Sequence, residues 1–509
     1  MIIDLFFLAN NLFELSTCFL LKRFENYTYL NNVYTVRLQI RLNLRKSFPH
    51  LLLFMTLVWL VVLIGFNNSN FGLATQLQGY NLSSNSNNGP IVKDPNLKVE
   101  LVFKGLKFPT SMAFLGPNDI LVLEKNNGTV KRIVHGTMLL KPLLDVNVAT
   151  QIERGMLGIA IGKHNNTNGR PTYVFLYFTE TKTKDGQDTS SKNDVLGNRL
   201  YRYELKNNEL VNPKLLLDVP TPKPLHNGGK LIIGSDNNVY LVVGDGGGYW
   251  GNSTKAQNNI NGTNPDGTSA IYRITQDGKP VEPSIFGDKK PLNKYYAYGI
   301  RNSFGLDFDP VTGNLWDTEN GPGFGDEINL VKPGFNSGWG KIQGIWERNA
   351  SDPSHSGDIA SPNREGLVDF GGKGKYSSPE FTWKVTKGVT ALQFFNSDKM
   401  GKQYENDMFV GDFHNGNLYH FDLTENRTDL SLAKPLDDKI AIGYNELEKV
   451  LFAEGFGGIT DIKVGPDGYL YILSLQQGGG DCKALSSSTD CINYSSPIVG
   501  TIYKIVPVN

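Results

Sequence analysis

Short apolar stretches separated by polar turns recur along most of this chain and predict a series of β-strands. Within each repeat, an apolar strand precedes a turn rich in Asp, Asn, Gly or Pro, then a second apolar strand and a short third strand. The third strands are variations on one sequence, at residues 130–133, 200–203, 271–274, 327–330, 418–421 and 502–505. Their length and their β-branched and aromatic content are typical of strands. Like units of roughly 55 to 90 residues indicate a radial or linear array of small sheets.

These units predict an all-β fold, a six-bladed β-propeller over residues 97–509. Residues 97–103 alternate between apolar and polar positions before the first full unit, and the chain ends on a strand at 501–506. We therefore expect the N-terminal strand to complete the last blade, which closes the ring and removes exposed sheet edges. A pair of β-sandwiches is the competing architecture, although sandwiches do not require six like units. A propeller directs loops from every blade towards one axial pocket.

An uncharged apolar run at residues 51–66 stands apart from the strand repeats. Basic residues precede it and polar residues follow it, an arrangement that orients a membrane segment with its N-terminus inside. We predict a signal anchor here. A cleaved signal peptide is the alternative, and a buried core helix is disfavoured because no amphipathic period is present. Residues 1–50 form a leader without a clear pattern, and the Asn/Ser-rich residues 67–96 are predicted to be a flexible stalk.

Composition and cysteine usage bear on where the chain works and what it binds. Lys plus Arg equals Asp plus Glu at 50 each, so the chain lacks the excess positive charge typical of nucleic-acid binding. Asn-x-Ser/Thr sequons recur between Asn67 and Asn493, which suits a glycosylated protein. Cys482 and Cys491 form either a surface disulfide or two free thiols. We predict an extracytoplasmic location, membrane-anchored, or secreted if the apolar segment is cleaved.

The first candidate catalytic residues lie at strand ends that a propeller turns towards its axis. His226 precedes one strand and Asp245 follows the next, so a hairpin between them brings imidazole and carboxylate to the same sheet edge. A carboxylate on one ring nitrogen fixes the tautomer and makes the other nitrogen a better proton acceptor, as a general base requires. The alternative is that His226 only caps a turn.

Two further segments carry candidate chemistry. Arg301 and Asn302 precede the next unit in the position equivalent to His226, where a guanidinium binds an anionic cofactor or stabilises negative charge on oxygen. An inter-blade salt bridge is the alternative. Residues 319–327 (ENGPGFGDE) combine the carbonyls of a tight Gly/Pro loop with carboxylates, which are hard ligands suited to Ca²⁺, although without EF-hand spacing. A turn that simply uses Gly and Asp is the alternative for this loop.

Three stretches, LHNGGKLIIGSDNNVYLVVGDGG, AYGIRNSFGLDFDPVTGNLWDTENGPGFGDEINLVKPGFNSGWG and GGITDIKVGPDGYLYILS, resemble the soluble quinoprotein glucose/sorbosone dehydrogenase family. Members are six-bladed propellers that oxidise aldose sugars with pyrroloquinoline quinone (PQQ) and Ca²⁺. The resemblance implies a sugar substrate and an external or membrane electron acceptor for this chain.

The resemblance also implies roles for the catalytic candidates. His226 would remove the proton from the sugar C1 hydroxyl while hydride passes to the quinone, and Asp245 would orient His226. Arg301 would polarise the quinone oxygen on which negative charge grows, and Asn302 would contact the cofactor.

The same resemblance implies metal and substrate contacts. The backbone oxygens of Gly321 and Pro322 would bind the Ca²⁺ of the cofactor, with Asp326 in the same metal-binding loop and Glu327 at a neighbouring structural calcium site. Glu153 stands where the glucose enzyme of the family has a sugar-contacting Gln.

Two loops depart from the family pattern. Where the glucose enzyme has a Lys and a pair of Arg residues for the cofactor carboxylates, this chain has His414 and Thr460 as cofactor-binding candidates. The cofactor would lose several charge-assisted hydrogen bonds, each worth about 1.5–3 kcal/mol. Two other functions therefore stay open. One is a non-catalytic cell-surface propeller that binds a glycan or protein partner, and the other is a calcium-dependent hydrolase of the lactonase type.

Overall fold

The computed structural model describes residues 89–162, 171–183, 194–247, 253–348, 364–475 and 499–508. Six sheets of four to six strands and one two-stranded sheet make up this part of the chain. Its helices are short: one α-helical turn, Tyr444–Leu447, and the 3-10 turns Lys255–Gln257, Leu292–Lys294, Lys402–Tyr404 and Leu436–Asp438. The fold is therefore all-β, as the strand pattern predicts.

We number the six larger sheets in the chain order of their first strands. Sheet 1 contains Pro109–Gly116, Asp119–Glu124, Thr129–Val134, Thr137–Met138 and Leu144–Asp145. Sheet 2 contains Met156–Ile161, Thr172–Thr181, Val195–Lys206 and Glu209–Val219. Sheet 3 contains Leu231–Ile233, Val239–Val243, Ala270–Ile274, Tyr295–Tyr298, Phe335–Asn336 and Lys375–Tyr376.

The remaining sheets follow the same order. Sheet 4 contains Ser303–Phe308, Leu315–Glu319, Asp326–Val331, Phe381–Trp383 and Ile440–Ala441. Sheet 5 contains Val389–Phe394, Met408–Asp412, Leu418–Phe421, Leu451–Glu454 and Ile91–Val92. Sheet 6 contains Gly458–Val464, Leu470–Leu475, Val499–Pro507 and Leu97–Lys107, and the two-stranded sheet pairs Ile342–Gln343 with Trp346–Glu347.

Each of the six repeated sequences occupies the same place in its sheet. All six lie in the third strand, between the second strand and the outer part of the sheet. The first strand of each sheet contacts the first strand of the next, and the first strand of sheet 6 contacts that of sheet 1. Buried apolar clusters fill the space between neighbouring sheets. This is the packing of a β-propeller.

The N-terminal strand pairs with the C-terminal one. Leu97–Lys107 is antiparallel to Val499–Pro507 in sheet 6, which confirms the predicted pairing of these segments. The boundary of the predicted flexible stalk at residue 96 is wrong, because Ile91–Val92 already pairs with Leu451–Glu454 of sheet 5. A two-residue strand that completes an existing edge is too short to produce a periodic sequence signal.

No helix within the described ranges is long and apolar enough to cross a membrane. The predicted leader and anchor, residues 1–50 and 51–66, lie outside the described residues, as do Cys482 and Cys491.

Candidate active site

A cavity of about 400 Å³ lies at the edge where the first strand of each sheet begins and the second strand ends. All six sheets and their adjoining loops contribute to its lining. Eight of the candidate residues from the sequence line it: Glu153, His226, Arg301, Asn302, Gly321, Asp326, His414 and Thr460. The propeller therefore brings together residues that are more than 300 positions apart in the chain.

His226 and Asp245 form a direct pair at this cavity. The His226 Nδ1 atom lies 2.5 Å from Asp245 Oδ1. The hairpin of Leu231–Ile233 and Val239–Val243 places them at one edge, as the sequence predicts. His226 adopts a positive φ of 54°, and its backbone carbonyl accepts a hydrogen bond from Gly246 N at 3.2 Å. This left-handed conformation is uncommon for a residue other than glycine and indicates that surrounding contacts hold it.

Asp245 is buried, and its carboxylate is held on both oxygens. Oδ1 also accepts the Gly247 N–H at 2.8 Å, and Oδ2 accepts the indole N–H of Trp339 at 2.7 Å. Burial favours the neutral acid, but the interactions with His226, Arg301 and the Gly247 N–H outweigh it and hold the pKa of Asp245 below its usual value. Because an ionised carboxylate only accepts, His226 donates from Nδ1, and Nε2 is left as the proton acceptor.

Glu153 holds the backbone beside His226. Its Oε2 accepts the backbone N–H of His226 at 2.7 Å and that of Asn227 at 3.4 Å. The same oxygen accepts Asn302 Nδ2 at 3.2 Å, and Asn302 Oδ1 accepts the N–H of Gly228 at 3.2 Å. Glu153 thus fixes the backbone beside His226 while its carboxylate also lines the cavity.

Arg301 is held by backbone contacts and an aromatic ring. Its own N–H donates to Glu319 Oε1 at 2.7 Å, and Nη1 donates to the carbonyl of Asn320 at 2.8 Å. Its guanidinium lies 5.2 Å from the centre of the Trp339 ring. Burial lowers the pKa of Arg301, against the opposing effect of Asp245 and Glu153. Within the described residues, its buried Nε has no hydrogen-bond partner, which leaves a donor for a ligand.

The loop of Gly321 and Pro322 is braced by Asp326. Asp326 Oδ1 accepts the N–H of Gly321 at 2.8 Å, and Oδ2 accepts those of Lys387 and Gly388 at 2.6 and 2.9 Å. Both oxygens therefore accept hydrogen bonds from backbone donors, and the assignment of Asp326 as a metal ligand stays a prediction. A Cβ on Gly321 would lie 1.8 Å from the Phe324 carbonyl oxygen, so only glycine fits this turn.

Glu327 does not line the cavity but belongs to a buried carboxylate cluster with Asp317 and Glu319. Glu327 lies directly opposite Glu319 on the neighbouring strand. Asn329 Nδ2 donates to Asp317 Oδ1 at 3.1 Å and to Glu327 Oε2 at 3.0 Å. Burial raises the pKa of Asp317 to about 7 and that of Glu327 to about 8. Burial and the two neighbouring carboxyls also raise the pKa of Glu319.

The sequence reasoning missed Asp317, although a signal was present. Asp317 and Glu319 are two residues apart on one strand, so both side chains lie on the same face of sheet 4. The acceptor atoms Asp317 Oδ2, Asn329 Oδ1 and Gln343 Oε1 are buried and have no hydrogen-bond partner among the described residues. Buried oxygens without a donor, beside carboxyls, are hard donor atoms of the type that Ca²⁺ prefers.

Two buried lysines that line the cavity were also missed. Lys230 Nζ donates to Asp461 Oδ1 at 2.5 Å, and burial lowers its pKa to about 8, against the effect of Asp461. Lys125 Nζ donates to Asn126 Oδ1 at 2.9 Å and to the Thr150 carbonyl at 3.3 Å. Both lysines lie next to the end of an apolar strand, as His226 does, so the sequence contained a signal for them.

Comparison with known proteins identifies the family of this chain. The model of the Glucose / Sorbosone dehydrogenase family matches residues 106–480. The chain is 25% identical to aldose sugar dehydrogenase YliI of Escherichia coli over 75% of this chain and 91% of the relative. It is 28% identical to quinoprotein glucose dehydrogenase B of Acinetobacter calcoaceticus over 50% of this chain and 54% of the relative.

Solved structures show the same fold. The PQQ-bound form of aldose sugar dehydrogenase from Streptomyces coelicolor superposes with a TM-score of 0.53 at 21% identity, over 82% of this chain and 99% of that structure. Because the family model matches residues 106–480, well over half of the chain, this chain belongs to the glucose/sorbosone dehydrogenase family.

Proposed function

We propose that this protein is an exported sugar dehydrogenase that oxidises the C1 hydroxyl of an aldose by general-base-assisted hydride transfer to a PQQ–Ca²⁺ cofactor. The observation that carries the proposal is the His226–Asp245 pair at the cavity, with the guanidinium of Arg301 at the same cavity. General-base catalysis needs an acceptor nitrogen of fixed tautomer, and hydride acceptance needs positive charge near the acceptor.

The reacting half of the site fits the cofactor. Arg301 Nε is a buried donor without a partner in the described residues, and within these residues no N–H bonds to the Gly321 or Pro322 carbonyl. These carbonyls are hard ligands suited to Ca²⁺. The bound quinone supplies the acceptor for the hydride. Gly321 and Pro322 would hold the Ca²⁺, and Asn302 would contact the cofactor.

The protein residues divide the remaining tasks. His226 Nε2 takes the proton of the C1 hydroxyl, and Asp245 stabilises the imidazolium that forms. Arg301 stabilises the negative charge that develops on the acceptor oxygen. Glu153 keeps the His226 backbone in place through its Oε2 and presents its carboxylate to the sugar.

The residues available to bind the cofactor carboxylates fit the cofactor less well. His414 and Thr460 line the cavity where the family's glucose enzyme has basic residues. The buried lysines are already bonded, Lys230 to Asp461 and Lys125 to Asn126 and Thr150. We therefore propose PQQ binding that is weaker than in an enzyme with a Lys and two Arg residues at these positions.

A second Ca²⁺ is proposed at the carboxylate cluster of Asp317, Glu319 and Glu327. A divalent cation would replace the protons that burial otherwise holds on these carboxyls and satisfy the orphaned oxygens beside them. This ion would be structural, because the cluster does not line the cavity.

The location and ring size belong to the same proposal. We infer that the six sheets are the blades of one ring, closed where Leu97–Lys107 joins sheet 6. Export and membrane anchoring are proposed from the apolar residues 51–66, and an external or membrane carrier would then accept the electrons.

A reduction assay tests the enzyme proposal. The full chain is loaded with PQQ and CaCl₂ and mixed with an electron-accepting dye and a panel of aldoses. We expect sugar-dependent dye reduction that falls about 10²- to 10⁴-fold in His226→Gln. The matched control is His135→Gln, at an exposed turn of sheet 1, which should retain the wild-type rate. PQQ binding without reduction of the dye by any sugar would contradict the proposal, and tight glycan binding by the cofactor-free protein would favour a non-catalytic propeller.

A further inference from the structure

Trp339 contacts both candidate catalytic groups through different parts of its side chain. Its indole N–H donates to Asp245 Oδ2 at 2.7 Å, and the guanidinium of Arg301 lies 5.2 Å from its ring centre. The side chain is buried, with 2% of its surface exposed. Among the described residues, no other donor reaches Asp245 Oδ2, whereas Oδ1 accepts from both His226 and Gly247.

The backbone of Trp339 is held by hydrogen bonds to Gly299 and Asn258. Its N–H donates to the Gly299 carbonyl at 3.0 Å, two residues before Arg301. Its carbonyl accepts Asn258 Nδ2 at 3.1 Å. The flanking residues Gly338 and Gly340 both have a φ of 98°, and a Cβ on Gly340 would lie 2.0 Å from the Gln257 carbonyl oxygen. The tight turn that presents the indole ring therefore requires glycine on both sides.

We propose that Trp339 is a positioning residue that sets the orientation of Asp245 and Arg301 together. A role of Trp339 in catalysis rests on the proposed function. The contacts of Trp339 with Asp245 and Arg301 do not depend on it. A buried carboxylate oxygen without a donor loses its hydration with nothing to replace it. The indole N–H satisfies Oδ2 and so fixes the plane of the carboxylate with Oδ1 towards His226. The ring face supports the guanidinium by a cation–π contact.

The charged groups that face this pair are few in the described part of the chain. Glu153 and Arg301 both lie near His226 and Asp245, and Arg301 contributes to the lowered pKa of Asp245. Loss of the indole N–H removes one of the donors that draw charge from Asp245. The carboxylate of Asp245 is then free to interact more strongly with the imidazole of His226, so chemical modification of this ring should require a higher pH.

The test measures the protonation of His226 directly, without substrate or cofactor. Carbethoxylation of His226 by diethyl pyrocarbonate is followed by peptide mass spectrometry as a function of pH in the full chain. In Trp339→Phe, which keeps an aromatic face for Arg301, the midpoint should rise by about half a pH unit or more. The matched control is Trp316→Phe, because Trp316 is also buried and its indole N–H has no partner in the described residues. Equal midpoints in the two variants would overturn the proposal.

A double-mutant cycle separates positioning from a general disturbance of the fold. In an Asp245→Asn background, Trp339→Phe should leave the midpoint unchanged, since its effect acts through the carboxylate. An equal shift in both backgrounds would contradict a positioning role. A measurement on the wild-type chain is independent of any variant: the Trp339 indole N–H resonance should move with the His226 midpoint, and a resonance that does not move would also overturn the proposal. Absence of dehydrogenase activity would contradict the proposed function. The modification midpoints and the indole resonance would still test the positioning role of Trp339, because neither measurement needs substrate or cofactor.

Discussion

Glu319 joins the buried carboxylate cluster to the candidate active site, because its Oε1 accepts the backbone N–H of Arg301 at 2.7 Å. Its Oε2 accepts the Ser337 hydroxyl at 2.8 Å, and the same hydroxyl lies 3.3 Å from Glu327 Oε2. An ion at the cluster would therefore stabilise the backbone from which Arg301 extends.

Removal of Ca²⁺ should destabilise the propeller. Without a cation, burial favours the protonated carboxyls of Asp317, Glu319 and Glu327, and the buried oxygens beside them lack a hydrogen-bond donor among the described residues. We expect saturating Ca²⁺ to raise the Tm of the cofactor-free chain by about 5 °C relative to EGTA, as followed by circular dichroism. Glu327→Gln should lose most of this increase. Asp412→Asn, at a buried carboxyl of sheet 5, should keep it, and equal Tm values in EGTA and Ca²⁺ would exclude the structural ion.

Replacing Asp245 with Asn should remove the base while leaving the cavity intact. The amide donates from its nitrogen, so His226 Nδ1 becomes the acceptor and the proton moves to Nε2, the atom that must accept it from the sugar. We expect the rate of dye reduction to fall about 10²- to 10⁴-fold with little change in KM. A loss expressed mainly in KM would instead indicate that Asp245 shapes the binding site.

The candidate residues could be predicted because His226, Asp245 and Arg301 each lie at a strand end, and strand ends follow from local sequence. Trp339 and Asp317 could not, because their contacts arise from register and from loops that cross between sheets. Trp339 meets Asp245 from 94 positions away, and Lys230 meets Asp461 from 231 positions away. The strand Ile91–Val92 could not be predicted for the same reason. It is a strand only because it pairs with the open edge of Leu451–Glu454, which is distant in sequence.

Glu153→Gln should separate the structural and electrostatic effects of this side chain. The amide oxygen of Gln can still accept the His226 N–H, so the backbone should hold its position. Loss of one negative charge at the cavity should strengthen binding of a tri-anionic quinone by a few-fold. We expect a lower PQQ Kd by fluorescence quenching, whereas Glu153→Ala should weaken turnover because the His226 backbone loses its acceptor. A higher Kd in Glu153→Gln would assign the carboxylate a direct cofactor contact.

His414→Lys should restore part of the positive charge that the cofactor carboxylates lack. One charge-assisted hydrogen bond is worth about 1.5–3 kcal/mol, so the PQQ Kd should fall about 10-fold or more if a carboxylate lies beside this position. His135→Lys adds the same charge at an exposed turn and should change the Kd little. An unchanged Kd in His414→Lys would place the cofactor carboxylates elsewhere in the cavity.

Glu380 should make the stability of sheet 4 depend on pH. Its Oε2 accepts the N–H of Leu330 at 2.6 Å, and burial raises its pKa to about 7, from 4.5. Because the folded state holds this proton between the unfolded and folded pKa values, stability from Glu380 is full below about pH 4.5 and is lost as the pH rises through 7. Glu380→Gln, which cannot ionise, should have the wild-type Tm at about pH 4 but a Tm higher by about 2 °C or more at about pH 8. Thermal unfolding at the two pH values checks this, and a variant that is less stable than wild type at pH 8 would show that the ionised carboxylate is stabilised in the folded state.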